Sequence, residues 1–261
     1  MEGTFQLDVP PVLLGYKHTE SRPVTCLSLF MTVEPSLQPP ESIGTRWESE
    51  EPPELLERAH KFEEALRTKY PSRLIKVLAT DIHGKWVFVP RYLHPIPPPS
   101  QFLLEGPNMD VAARFVSLIP TVADSALFSG ACDIWSTCDQ FLNVVIGDEE
   151  EHAILLCNFF LSMGKSAFLL LGWGIPEGQT AYVLTLEEEL WLWNAVTGKR
   201  YSVRDTCCPL QSIGCIIGRD NVWANVQKHD LPSRMSFNLK KASLWRPLLK
   251  KRMAFELHTV Q

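Results

Sequence analysis

No apolar run in this sequence approaches the roughly 18 residues that cross a bilayer, so nothing in it reads as a membrane span. The opening residues, MEGTFQLDVP, lack a basic stretch followed by an apolar core, so no secretory signal is expected. A basic excess is missing too. The 25 Lys and Arg against 30 Asp and Glu leave a formal charge of -5, which argues against a general nucleic-acid binder, whose phosphate partner needs a broad basic surface. There is no phosphate loop, no GxSxG elbow and no dinucleotide fingerprint. Seven cysteines form an odd set without CxxC spacing or a partnering pair of histidines. That argues against zinc and against a disulfide framework, and it reads as reduced thiols in a cytosolic protein.

What is present is ordinary globular composition, 45% apolar and 21% charged over 261 residues. This length suits one large domain, or a medium one with an extension. Residues 4–9 and 25–33 read as two strands, the second too apolar for a solvated edge. Two strands alone are marginal in water, so they are expected to need partners from outside this chain. Residues 35–53 are linker-like. Pro53 then opens a helix with Leu55, Leu56, Ala59, Phe62, Ala65 and Leu66 on one face, and Pro71 ends it. Two strands, 73–80 and 85–89, make a hairpin through Asp81-Ile82-His83-Gly84. The proline-rich 94–100 is an extended connector, and a helix follows over 109–119.

The stretch 133–173 organises the remainder. It reads as a helix, an acidic turn, a second helix and a buried strand. In the second helix Ala153, Leu156, Cys157, Phe160 and Leu161 recur at the spacing of a core-facing stripe. Antiparallel strands are expected over 181–185, 190–194, 200–203 and 213–217, with a strand or turn at 221–226. Helices followed by a run of strands give an α+β signature. The tail, with Lys240, Lys241, Arg246, Lys250, Lys251 and Arg252, reads as a basic helix around 245–253. Such a helix either docks through Trp245, Leu248 and Leu249 or touches anionic lipid or an acidic partner.

Candidate chemistry is thin. Cys157 lies mid-helix on the apolar face, whereas activated thiols favour helix N-termini or cationic neighbours. His152, five positions away, sits about 140° round the helix from it. Asp148, Glu149, Glu150, Glu151 and His152 lack the alternating pattern of a calcium loop, and carboxylates there cap a helix and complement its dipole.

The segments GDEEEHAILLCNFFLSMGKSAFLLLG, PEGQTAYVLT and LWNAVTGKRY together resemble the transglutaminase-like, papain-type cysteine hydrolase core. In that family a Gly-x-Cys motif starts a helix, with an alanine four residues on and a glycine eleven beyond. Ala153 and Gly164 keep this spacing, so the resemblance puts the nucleophile position on Glu149. It puts the histidine position on Thr180 and the aspartate position on Asn194. Glutamate at a helix start stays ionised and cannot act as a thiolate, threonine cannot shuttle a proton, and asparagine has no base to orient. The resemblance therefore implies a pseudoenzyme without metal or cofactor. Its cleft is expected among Glu149, Thr180 and Asn194, with Trp135 and Trp173 nearby.

Longer segments, ACDIWSTCDQFL, IPEGQTAYVLT, CPLQSIGCIIG and DNVWANVQ, are similar to the carboxy-terminal end of the coiled-coil and C2 domain-containing protein 2 family. GTFQLDVPPVLLGY and CLSLFMTVEP resemble the last strands of a C2 sandwich. The implied organisation is a C2 remnant over 1–36, a linker with one helix and a hairpin over 37–105, and a degenerate transglutaminase-like domain over 106–261. The implied role is a non-catalytic scaffold at the ciliary base, in the transition zone, that assembles cilia and gates protein entry. Its partners would be other transition-zone proteins, with no nucleic acid, membrane insertion or small-molecule substrate. Two rivals stand beside this reading: a cysteine hydrolase or transferase using Cys157 or Cys138, and a purely structural buttress whose cleft is filled by its own side chains.

Overall fold

The structure is a computed structural model, and it describes residues 49–99, 108–124 and 133–250. The expected strands of the C2 remnant lie outside that range. The first described element is helix α1 (Pro53–Lys69), which starts on a proline and buries Leu55, Ala59, Phe62 and Leu66. Strands β1 (Leu78–Asp81) and β2 (Trp86–Phe88) form the expected hairpin, shorter than its apolar pattern. Helix α2 (Met109–Val116) is capped by the Asn108 side chain, which accepts from the amides of Asp110 and Val111.

Where a helix was expected at the start of the organising stretch, the chain first forms β3 (Ile134–Trp135), parallel to β1. The short helix α3 (Cys138–Val144) follows, opened by a Thr137–Gln140 capping box. Helix α4 (Glu149–Ser162) has its own capping box. The Asp148 carboxylate accepts from the Glu150 amide at 3.0 Å, and the Glu151 carboxylate accepts from the Asp148 amide at 3.1 Å.

Beyond α4 come β4 (Ala167–Gly174), β5 (Gly178–Leu186), β6 (Leu190–Asn194), β7 (Lys199–Ser202), β8 (Leu210–Ile217), β9 (Val222–Asn225) and β10 (Trp245–Pro247). They make one antiparallel sheet in the order β10-β9-β8-β4-β5-β6-β7. Within the described part of the basic tail, Trp245–Pro247 is thus a strand, not a helix. Pro247 has no amide to continue a helical ladder, and the Leu248 amide instead donates to the Val222 carbonyl at 2.9 Å.

Strand β4 is central and apolar on both faces, as a strand covered twice must be. On one face Leu169, Leu171, Ala181, Val183 and Trp193 pack under α4, with the rings of Phe160 and Trp193 centred 5.0 Å apart. On the other, Leu170, Tyr182, Leu184, Leu192 and Trp245 build a second core. The single stripe expected of α4 understates its burial. Every residue from Glu151 to Phe160 is buried, because the sheet covers one side while α2, α3 and the segment around Tyr92 cover the rest. Helix α1 and the hairpin share that same core.

Burial on all sides forces the polar residues of α4 to find partners inside. The Asn158 amide donates to the Tyr92 carbonyl at 2.8 Å and to Cys138 Sγ at 3.2 Å, while its oxygen accepts from the His94 amide at 2.9 Å. One side chain thus pins the connector to the helix. The His152 ring nitrogens lie 2.6 Å from the Asp148 carbonyl and 3.0 Å from that of Ile119, tying the end of α2 to the start of α4.

A buried acidic pit surrounds that start. Burial pushes Asp124 up to about 6, with the charge of Asp148 adding to it and the Ile134 amide opposing. Burial, reinforced by Asp148, also pushes Glu150 and Glu151 well above the usual carboxylate range. Lys76 pairs with Asp133 and faces Glu150, Glu63, Asp148 and Asp124; burial pushes it down against their pull.

Two outcomes follow from this packing. Asn158→Leu leaves the Tyr92 carbonyl and the His94 amide without partners, and it should lose about 2–4 kcal/mol in urea unfolding. Ser162→Ala, at the half-exposed helix end, should stay within about 0.5 kcal/mol. For Asp124 the folded chain holds its proton more tightly than the unfolded chain, so its ionisation destabilises the fold above about pH 6. Asp124→Asn should therefore raise the Tm at pH 7.5, and by progressively less as the pH falls to 5; a constant difference would refute the assignment.

Candidate functional site

Strand register decides which of the expected site residues can meet. Thr180 pairs with Gly172 and Asn194 with Lys199. Alternation along β5 and β6 then places Thr180, Tyr182 and Asn194 on the face away from α4, and Ala181, Val183 and Trp193 on the α4 face. Thr180 and Asn194 are both buried. They come together around a residue that the sequence reading passed over, Glu177, in the turn between β4 and β5.

Asn194 Nδ2 donates to the Tyr182 hydroxyl at 2.8 Å and to Glu177 Oε1 at 3.2 Å, and its own oxygen accepts from the Thr197 amide at 2.9 Å. The Tyr182 hydroxyl donates to Glu177 Oε1 at 3.2 Å. Burial pushes the Tyr182 phenol far above its ordinary value, so it acts here as a neutral donor. The other carboxylate oxygen, Oε2, is buried without a hydrogen-bond partner among the described residues. It lies 2.8 Å from where a Cβ on Gly174 would stand, and the Thr180 methyl lies 3.4 Å from the same point. Glycine at 174 is therefore what lets the carboxylate in. The space between the histidine and aspartate positions is filled by the chain itself. Two signals pointed here, the Pro176-Glu177-Gly178 turn inside a quoted motif and the position of Tyr182 two residues after Thr180 on the same face.

Glu149 opens α4 at the margin of this cluster, half-buried. Burial pushes its carboxyl up, its own backbone amide opposes this, and Asp148 and Glu177 push it further up while His152 opposes. Trp135 is buried in the first core, its indole donating to Asp133 at 2.6 Å and its ring lying under Lys76. Trp173 is 45% exposed, and Ile175 beside it 57%. By alternation Trp173 sits on the face opposite Thr180. The five expected residues thus form a pair, a helix start, a core residue and a rim residue.

The buried thiols are held in their protonated form. Burial pushes Cys138 up to about 12, Cys215 to about 12 and Cys208 to about 11, and it pushes Cys157 higher still. Cys207 alone of the described cysteines is exposed. Carboxylates of Asp124, Asp148 and Glu151 lie within 4.8 Å of one another, as a metal site would need. Both Glu151 oxygens already accept backbone amides, Asp124 accepts from Ile134, Asp148 accepts from Glu150, and Lys76 supplies positive charge nearby.

With this geometry in place, likeness to known proteins becomes informative. The chain is 38% identical to protein CC2D2B of Homo sapiens over 270 residues, covering 96% of this chain and 19% of that protein. It is 30% identical to coiled-coil and C2 domain-containing protein 2A of Drosophila melanogaster, covering 97% of this chain and 20% of that one. Centrosomal protein of 76 kDa of Homo sapiens is 30% identical over 202 residues, with 70% of this chain and 30% of that protein covered. The chain spans about a fifth of the first two. Among solved structures, calcium-bound LapG of Legionella pneumophila superposes with a TM-score of 0.40 at 14% identity, over 54% of this chain and 76% of that one. The α4-then-sheet order is that of a transglutaminase-like α+β fold, and residues 133–248 match the family described as CEP76 peptidase-like domain. This chain carries that peptidase-like domain, and it is a homologue of the coiled-coil and C2 domain-containing protein 2A and 2B proteins.

Proposed function

We propose that this is a non-catalytic interaction domain of a protein at the ciliary base, acting as a scaffold of the transition zone. The names of its relatives, a centrosomal protein and coiled-coil and C2 domain-containing proteins, support the setting. One observation carries the non-catalytic part. Where a hydrolase of this fold would hold nucleophile, base and orienting acid, the chain has Glu149, Thr180 and Asn194, and Asn194 is fully engaged by Glu177, Tyr182 and Thr197. No group there can both take and return a proton near neutral pH while touching a nucleophile.

A partner segment on this side would lie across the rim, against Glu149, Trp173 and Ile175, and would not reach Thr180 or Asn194. The filled cleft also favours a second reading, a buttress that binds nothing at this site. Glu149→Gln with Trp173→Ala separates them: weakened binding to transition-zone partners supports the rim, and unchanged affinity supports the buttress.

The thiols test the absence of catalysis directly. In the native protein at pH 8, a thiol-reactive probe should label Cys207 at an ordinary rate and leave Cys138, Cys157, Cys208 and Cys215 unmodified until the fold opens. Prompt labelling of Cys138 or Cys157 would revive the enzyme reading. In cells lacking the endogenous protein, a full-length form with Cys138→Ser and Cys157→Ala, matched for abundance, should restore ciliary protein entry.

A further inference from the structure

A groove runs between α1 and β10, at the far side of the sheet from β7, with a volume of about 660 Å³. That lies within the range of small-ligand clefts. Its floor is apolar, built from Phe62 and Leu248, with Pro247 beside them. Its walls carry four cations, Arg58, Lys61, Arg246 and Lys250, against two carboxylates, Glu54 and Glu57. In a chain of formal charge -5 this is a local reversal.

The cations are not all committed. Lys61 pairs with Glu57 at 2.5 Å. Arg246 stacks its guanidinium 5.6 Å from the Phe62 ring centre. Arg58, Arg246 and Lys250 make no ion pair among the described residues. We infer that this groove binds an acidic segment of a partner protein, seating apolar side chains on Phe62 and Leu248 and carboxylates on Arg58, Arg246 and Lys250. The site is separate from the hydrolase remnant, and it stands whether or not the rim at Trp173 binds anything.

Two features narrow the occupant. Strand addition is blocked on β10. Arg246 pairs its backbone with β9, the Trp245 amide donates inward to the Lys241 carbonyl at 3.0 Å, and Pro247 has no amide. A guest must therefore be held by its side chains, which is where acidic groups serve. A flat anionic membrane fits less well, because Glu54 and Glu57 stand on the α1 wall and the cations line a concavity.

The test is a fluorescence-anisotropy titration of the full chain with a labelled ten-residue peptide of alternating glutamate and leucine. Binding is expected at low salt and should fall steeply as salt rises. Arg58→Glu with Lys250→Glu should weaken it at least tenfold; both side chains are exposed and neither packs the core. Lys199→Glu, on β7, should leave it unchanged, and circular dichroism should match across variants. No binding at low salt, or equal affinity in the double variant, overturns the proposal. So does binding to phosphatidylserine vesicles that is lost in the double variant while the peptide fails to bind. Peptide binding that emerges only when residues 251–261 are removed assigns the groove to that segment and overturns it as well.

Discussion

Burial of α4 on every side is the constraint on which the rest of this domain depends. A surface helix needs one apolar stripe, whereas this one must satisfy or exclude every polar group from Glu151 to Phe160. Leu155, Leu156, Phe159 and Phe160 meet the sheet and the flanking helices by packing alone. His152 and Asn158 meet it by bonding to chain segments distant in sequence, and in doing so they fix where α2 ends and where the 92–96 connector runs. Neighbours on three sides of one helix are thus positioned by two polar side chains. This explains why α4 is the centre of the fold.

The hydrolase remnant shows the same rule on a smaller scale. A buried asparagine and a buried threonine would be costly in an empty catalytic slot. The β4–β5 turn answers by bringing Glu177 over them, where its carboxylate accepts from both Asn194 and Tyr182. The pocket beside Asn194 and Tyr182 is thus satisfied from within the chain.

Local pattern made much of this legible. The spacing from Glu149 to Ala153 to Gly164 located α4 and its start, and the apolar run from Ala167 to Leu171 located the central strand. Glu149, Thr180 and Asn194 were found as positions, yet their mutual placement depends on register. Alternation sets Thr180 apart from Ala181 and Trp173, a step that the sequence permits once strands β4 and β5 are paired. Glu177 was signalled only by its turn, whereas Asn158 was invisible because it works through partners that only the fold brings near; its bonds span 20 to 66 positions. The tail misled for the same reason. Trp245, Leu248 and Leu249 with interspersed cations suit an amphipathic helix, but β9 offers a pairing edge, and Pro247 tips the choice.

Magnitudes also decide the electrostatics at the start of α4. A helix N-terminus favours an anion by about 0.3–1 kcal/mol, up to about 2 when partly buried. Desolvation can shift a fully buried group by about 3–5 pKa units, several times that. At the start of α4 burial wins, and Glu149, Glu150 and Glu151 all move up despite the helix end. Glu149 is only half-buried, and the charges of Asp148 and Glu177 add to the push that burial gives it. The acids that cap α4 therefore sit where burial and mutual repulsion outweigh the helix end, and Lys76 is what offsets that repulsion.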